Sequence, residues 1–231
     1  MSVAELKRVV DEVLSSVPEV VELVDRCLGS RRWGGSAVLM VVDAAFTSIG
    51  MSYFRTVVPA VIRFKELFVE SGEVVSLRDL AEHDVDALRR VWRNRRSWEV
   101  AQEVARRLSA FDAEDDVQRL RSWAARSTLE GWRSDPIGSV KGVGLVTYQY
   151  LRMMGGVDTV MPDKVVKRVI NSLLRRAGLE EVWDDFAFVR EVERIAAATG
   201  HRPAELTWMT WLLSERELMG EPSYARVLHL I

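Results

Sequence analysis

Cysteine is nearly absent from this 231-residue chain, which has only Cys27. One thiol excludes an internal disulfide, a four-cysteine zinc site and an iron–sulfur cluster, and its place on an apolar helical stripe makes it a small core residue. Histidine is scarce as well: His83, His201 and His229 are scattered and never reach the spacing of a helical zinc pair, so no metal site is expected. Asn occurs twice and Gln three times, the depletion of heat-labile side chains seen in heat-resistant proteins. No apolar run approaches the roughly 18 residues of a membrane span, and the opening MSVAELKRVVDEV carries charges where a signal peptide needs an apolar core. A soluble, cytoplasmic protein without membrane contact is expected. Period-two alternation between hairpin turns is missing too, which argues against a sheet.

What is present is helical periodicity in a chain that is 48% apolar and 29% charged, enough for a substantial core. Residues 3–28 read as helix closed by Gly29, and Arg31, Arg32, Trp33, Gly34 and Gly35 as a loop. Ala37 to Ser48 is apolar on most sides and is expected to be a central core helix. Pro59 kinks the next helix, residues 52–70, or marks where its regular part starts. Shorter helices follow Ser76 and Asp84, one follows the run Arg93, Arg95, Arg96, and one opens at Asp112. Val165, Val166, Val169, Ile170, Leu173 and Leu174 form a stripe opposite Lys164, Lys167, Arg168 and Arg175. Helices over residues 186–199 and 203–218 end the pattern. The expected fold is all-α, with two helical subdomains flanking a cleft. Segments 1–35 and 179–231 form one subdomain; 36–178 forms a central region holding a hairpin (137–154) and the helix 163–177.

The chemistry concentrates between Val140 and Val169. Ile137, Val140, Gly142, Val143, Gly144 and Thr147 have the spacing of two helices joined by a tight glycine turn. Such a turn exposes backbone N–H groups that bind a phosphate without reading sequence, although a plain helix connector has the same spacing. Nineteen residues after Gly144, Asp163 opens the basic amphipathic helix, either as an ordinary N-cap or as a functional carboxylate.

Together, Val140-Lys141-Gly142-Val143-Gly144-Leu145-Val146-Thr147 and Pro162-Asp163-Lys164-Val165-Val166-Lys167-Arg168-Val169 resemble the helix-hairpin-helix DNA glycosylase superfamily, endonuclease III-like. Its members carry an L-P-G-V-G-x-x-T-A hairpin and then V-D-x-x-V-x-R-V. The order of the other helices is similar over most of the chain. The resemblance implies that Asp163 is the catalytic carboxylate of a base-excision enzyme, stabilising positive charge on the sugar and orienting or deprotonating the attacking water. It implies backbone contacts to DNA from Lys141, Gly142, Val143, Gly144, Thr147 and Lys164, with the target base rotated into a pocket.

Departures narrow the chemistry. Bifunctional members carry a Schiff-base lysine where this chain has Val146, which implies a monofunctional, hydrolytic glycosylase. Lys141 replaces the hairpin proline, Tyr148 a small residue, and the iron–sulfur loop is missing. No cofactor is expected beyond a monovalent cation at the hairpin. The partner is expected to be duplex DNA, met by a monomer.

By their order relative to the family, Phe46, Tyr53, Tyr148, Trp208 and Trp211 are candidates for the walls of a base pocket, although aromatics at helical spacing usually fill interiors. Arg31, Arg32 and Trp33 form either a wedge or phosphate clamp, or a solvated loop. Arg89, Arg90, Arg93, Arg95 and Arg96 face phosphates or pair with Glu82, Asp84 and Asp86. The alternative to an enzyme is a non-catalytic DNA-binding or damage-recognition protein.

Overall fold

The computed structural model describes residues 3–47, 50–219 and 223–231 and is all-α, with no strand among them. Helix α3 (Ala37–Thr47) is the centre: every residue from Ala37 to Phe46 is buried, as its near-continuous apolar sequence requires. The expected last residue of that helix, Ser48, lies outside the described residues. Around α3 pack α4 (Val58–Phe64), α5 (Leu77–Glu82), α7 (Arg95–Ser109), α8 (Asp116–Arg126) and α9 (Leu145–Met154). The short α6 (Val85–Leu88) lies on α7.

A second group joins the two ends of the chain. Helix α1 (Val3–Ser15) packs on α10 (Lys164–Arg176), α11 (Asp185–Thr199) and α12 (Pro203–Met219), and α2 (Val20–Leu28) packs on α12 and α9. Helix α10, assigned by sequence to the central region, thus has α1 and α12 as its neighbours.

Local chemistry explains most boundaries. Ser76, Asp84, Asn94, Asp115, Asp163 and Asp184 each accept a backbone N–H of the helix that they open. The expected start at Asp112 therefore moves to Asp115, whose carboxylate accepts from Gln118 N–H at 2.7 Å. Pro59 sits in the first turn of α4. A wide π-helical turn, Tyr53–Val57, precedes it and another, Lys65–Val69, follows it, so the segment is helical without a break.

The loop after α2 is not a loop in solvent. Arg32 is wholly buried and Trp33 is 4% exposed. Ser30 and Trp33 both adopt a left-handed backbone, with φ of 54°. Trp33 N–H donates to Leu230 O at 2.7 Å, which holds this turn against the last residues. Both readings offered for Arg32 and Trp33, a DNA wedge and a solvated loop, are therefore corrected. The reason is Asp43 on α3, which accepts Arg32 Nη2 at 2.7 Å and Trp33 Nε1 at 2.8 Å inside the core. Arg31 alone of the three is exposed.

Candidate active site

Asp163 stands at the junction of the two helical groups, where an extended stretch enters α10. Its backbone is extended (φ −77°, ψ 170°), and Oδ1 accepts Val166 N–H at 2.8 Å, the bond that starts the helix. Oδ2 accepts the indole N–H of Trp211 from α12 at 2.7 Å. Both oxygens are thus aimed, and the residue remains half-buried. Burial raises its pKa above the ordinary carboxylate value, against the opposing pull of Val166 N–H, the Trp211 indole and Lys167.

The carboxylate borders a cleft of about 680 Å³. Tyr53, Phe54 and Trp211 supply aromatic surface, Ser214 and Glu215 polar surface, and Lys164 and Lys167 positive charge. That volume and mixture suit a planar, polar ligand of nucleotide size. Lys164 is exposed, whereas Lys167 is engaged: its Nζ donates to Trp183 O at 2.8 Å and pairs with Asp185.

Of the five aromatic candidates, the structure brings Tyr53 and Trp211 to the cleft, their rings 4.7 Å apart. The other three fall elsewhere, and their assignment to a pocket wall is corrected. Phe46 is fully buried, stacked on Trp92 at 4.5 Å and edge-on to Trp98. Tyr148 is fully buried on the far side of α9, its hydroxyl donating to Thr128 O at 3.0 Å, with its pKa pushed up to about 12 by burial and by Asp135. Trp208 is fully buried behind Trp211. Helical spacing identified apolar positions correctly but could not say which end of each helix opens onto the cleft.

Ser214, Glu215, Arg55 and Met51 also line the cleft and were missed. The positions of Ser214 and Glu215 on α12, three and four residues after Trp211, placed them on its face, a signal available in the sequence. Arg55 and Met51 carried none.

The hairpin approaches the same cleft through Val146, so the position where bifunctional relatives of the resembled family carry lysine lies in one wall with Asp163. Its leading arm is not a regular helix. Residues 130–141 form consecutive turns, because Asp135 draws Ile137 N–H (2.7 Å) and Gly138 N–H (3.1 Å) to its side chain. Gly142 has φ of +102°, and a Cβ there would lie 2.7 Å from Val100 Cγ2. Gly144 opens α9 with no side-chain cap and with open space around it, leaving first-turn N–H groups toward solvent. The side chains of Val143 (7% exposed) and Thr147 (3%) are buried, which leaves their backbone groups as what these two positions can offer a ligand.

Beside the turn, Lys141 is exposed and Arg96 of α7 lies near Gly142, its Nε 3.6 Å from where that Cβ would stand. The arginine cluster divides accordingly. Arg89 and Arg95 pair with Asp86 at 3.1 and 3.5 Å, Arg90 covers the Phe68 ring, and Arg93 and Arg96 are exposed. Arg107 anchors the turns to α7, donating to Pro136 O at 2.6 Å and to Ser139 Oγ at 2.8 Å.

No protein-family model and no curated protein matches the sequence. Among solved structures, the chain is similar to the crystal structure of Tm1821, the 8-oxoguanine DNA glycosylase of Thermotoga maritima. The match has a TM-score of 0.51 at 19% identity and covers 95% of this chain and 97% of that one. The two share a fold. The likeness spans nearly the whole length of both chains and is not confined to a common fragment.

Among the described residues, no helix is long and apolar enough to cross a membrane, and no cluster of three or more His, Cys, Asp or Glu side chains could hold a metal ion.

Proposed function

We propose that this protein is a monofunctional DNA glycosylase, which hydrolyses the N-glycosidic bond of a damaged or mismatched base flipped out of duplex DNA. The observation that carries the proposal is Asp163, an aimed carboxylate at the edge of an aromatic-lined cleft reached on another side by the hairpin helix. The shared fold with an 8-oxoguanine DNA glycosylase makes an oxidised purine the first substrate to test.

In this reading the backbone phosphate beside the target nucleotide rests on the free N–H groups of the α9 N-terminus, with Lys141 and Arg96 adding charge and no sequence preference. The same turn would take a monovalent cation through the carbonyls of Lys141, Gly142 and Val143, since oxygen dipoles replace an ion's hydration shell. The flipped base rests against the aromatic surface of Tyr53, Phe54 and Trp211, and Asp163 faces the sugar. As the glycosidic bond breaks, the carboxylate stabilises the oxocarbenium character at C1′ and orients or deprotonates the incoming water. Val146 offers no nucleophile in its wall, and Lys167 is held by Asp185, so the chemistry ends at an abasic site with the strand intact. The working form is a monomer inside the cell, where its DNA is.

The test is a panel of duplexes carrying single damaged or mismatched bases, 8-oxoguanine included, incubated with wild type and Asp163→Asn. Abasic product from wild type, strand scission only after added base or heat, and loss of product in the variant are expected. Intact duplex binding by both proteins with no product from any duplex would instead establish a non-catalytic damage-recognition protein. Spontaneous scission would overturn the monofunctional reading and direct attention to Lys164.

A further inference from the structure

Trp211 does more than line the cleft. Its indole N–H reaches Asp163 Oδ2 at 2.7 Å, and its ring is held from behind by Tyr53 (4.7 Å between centroids), Trp208 (5.3 Å) and Tyr150 (5.7 Å). Those three rings are themselves fixed. Arg32 lies 4.7 Å from the Trp208 ring centre, 5.5 Å from that of Tyr150 and 5.9 Å from that of Tyr53. The hydroxyls of Tyr53 and Tyr150 each donate to Asp43 Oδ2 at 3.0 Å, the oxygen that also binds Arg32. An ion pair with no exposed atom therefore sets an aromatic platform, and the platform points one N–H at the carboxylate.

We infer that Trp211 is the positioning residue of Asp163, holding its carboxylate in one rotamer and in the ionised form from a platform fixed by the Arg32–Asp43 pair. The physical reason is the balance at Asp163. Few groups help its charge: the N-cap bond satisfies Oδ1, and burial opposes ionisation. A donated hydrogen bond to Oδ2 favours the anion that the reaction needs and also prevents rotation about the side chain. The other charged groups around the cleft are Lys164 and Lys167 on α10, Asp185 on α11, Glu215 on α12 and Arg55 in the Tyr53–Val57 turn. Lys167 is tied to Asp185, so its help to the carboxylate is shared.

The inference rests on the glycosylase reading for its consequence in rate, yet its ionisation component is measurable without turnover. In wild type, the Trp211 indole ¹H–¹⁵N resonance should titrate with the apparent pKa of Asp163, and Asp163→Asn should abolish that titration. In Trp211→Phe, which keeps a ring on the platform and deletes the donor, the carboxyl ¹³C titration of Asp163 should move to higher pH. Single-turnover base release at neutral pH should fall about tenfold or more, the value of a hydrogen bond to a charged group. An indole signal that ignores Asp163, or an Asp163 titration unchanged in Trp211→Phe, overturns the inference. If wild type frees no base from any duplex, the glycosylase reading fails while the two titrations still decide what Trp211 does, and should Trp211→Phe not fold, the indole titration decides it alone.

Discussion

At the scale of single residues, Asp163 does two jobs whose energetics oppose each other. As an N-cap it stabilises α10, and Asn caps about as well as Asp. As a carboxylate with a raised pKa it favours its protonated form in the folded state, so its contribution to stability is fullest below the unfolded pKa and is lost as pH rises through the folded one. Asp163→Asn is therefore expected to melt higher than wild type at pH 8, with each kcal/mol worth about 2–4 °C in a chain of this size, and the gap should close toward pH 4. The same substitution is expected to lower base release by at least about a hundredfold, as loss of a properly placed acid–base group does. Base release by wild type should follow the anion and fall as pH drops through the raised pKa. A variant that melts lower at pH 8 would show that the folded protein stabilises the Asp163 anion and that burial does not raise its pKa. Asp163 was legible in the sequence because its spacing from Gly144 and the residues after it form a pattern. Asp43 was not, because a lone Asp within an apolar helix says nothing until its four donors, three of them 10 or 11 residues away and one 107, fold around it.

At the scale of elements, the hairpin combines a backbone that tolerates no side chain at Gly142 with a helix start that has no cap. Gly142→Ala would place a Cβ 2.7 Å from Val100 Cγ2 in a left-handed backbone at φ of +102°. The strain should cost about 1–3 kcal/mol in chemical denaturation and weaken DNA binding at the same time. Gly144→Ala meets open space and an extended backbone, so it should leave stability within about 1 kcal/mol. Charge at this element acts differently from shape. Lys141→Ala and Arg96→Ala should each lower the slope of log Kd against log salt by about 1, uniformly across DNA sequences, because in the proposed interface each removes one phosphate contact. A slope unchanged in both would remove the hairpin from the interface. The glycine pattern revealed the turn, but not that its leading arm is a chain of turns. That outcome depends on Asp135 competing for backbone N–H groups and on Arg107 reaching across from α7, neither of which periodicity records.

At the scale of the whole molecule, the amphipathic stripes made the all-α class readable, and the apolar run of α3 made its central place readable. A cleft between two helical groups was expected, but most of its lining was not readable, since it arises where segments distant in the chain meet: the Tyr53 turn, α9, α10 and α12. Three of those pieces, the Tyr53 turn, α9 and α12, meet at the buried Arg32–Asp43 pair. Burial alone would weaken the charge on Arg32, but Tyr150, Tyr53 and Asp43 outweigh it and hold the pKa above its ordinary value. Asp43 in turn ties the Arg32–Gly35 turn, α3, the Tyr53 turn and α9 to one oxygen. Asp43→Asn keeps an acceptor for the tyrosines but leaves a cation in the core without its counter-ion, which costs about 3–5 kcal/mol, a large part of the roughly 5–15 kcal/mol that holds a domain together. A contrasting pair meets solvent through its carboxylate: Arg26, itself 17% exposed, binds Glu22, which is 76% exposed. Glu22→Gln should cost no more than about 1 kcal/mol and lose even that in high salt, because solvent already screens the pair. Measured side by side in urea, Asp43→Asn should lower the midpoint severalfold more than Glu22→Gln, and added salt should not recover it. Equal losses would mean that the core does not depend on this ion pair, and the cleft would then have to be held together by apolar packing alone.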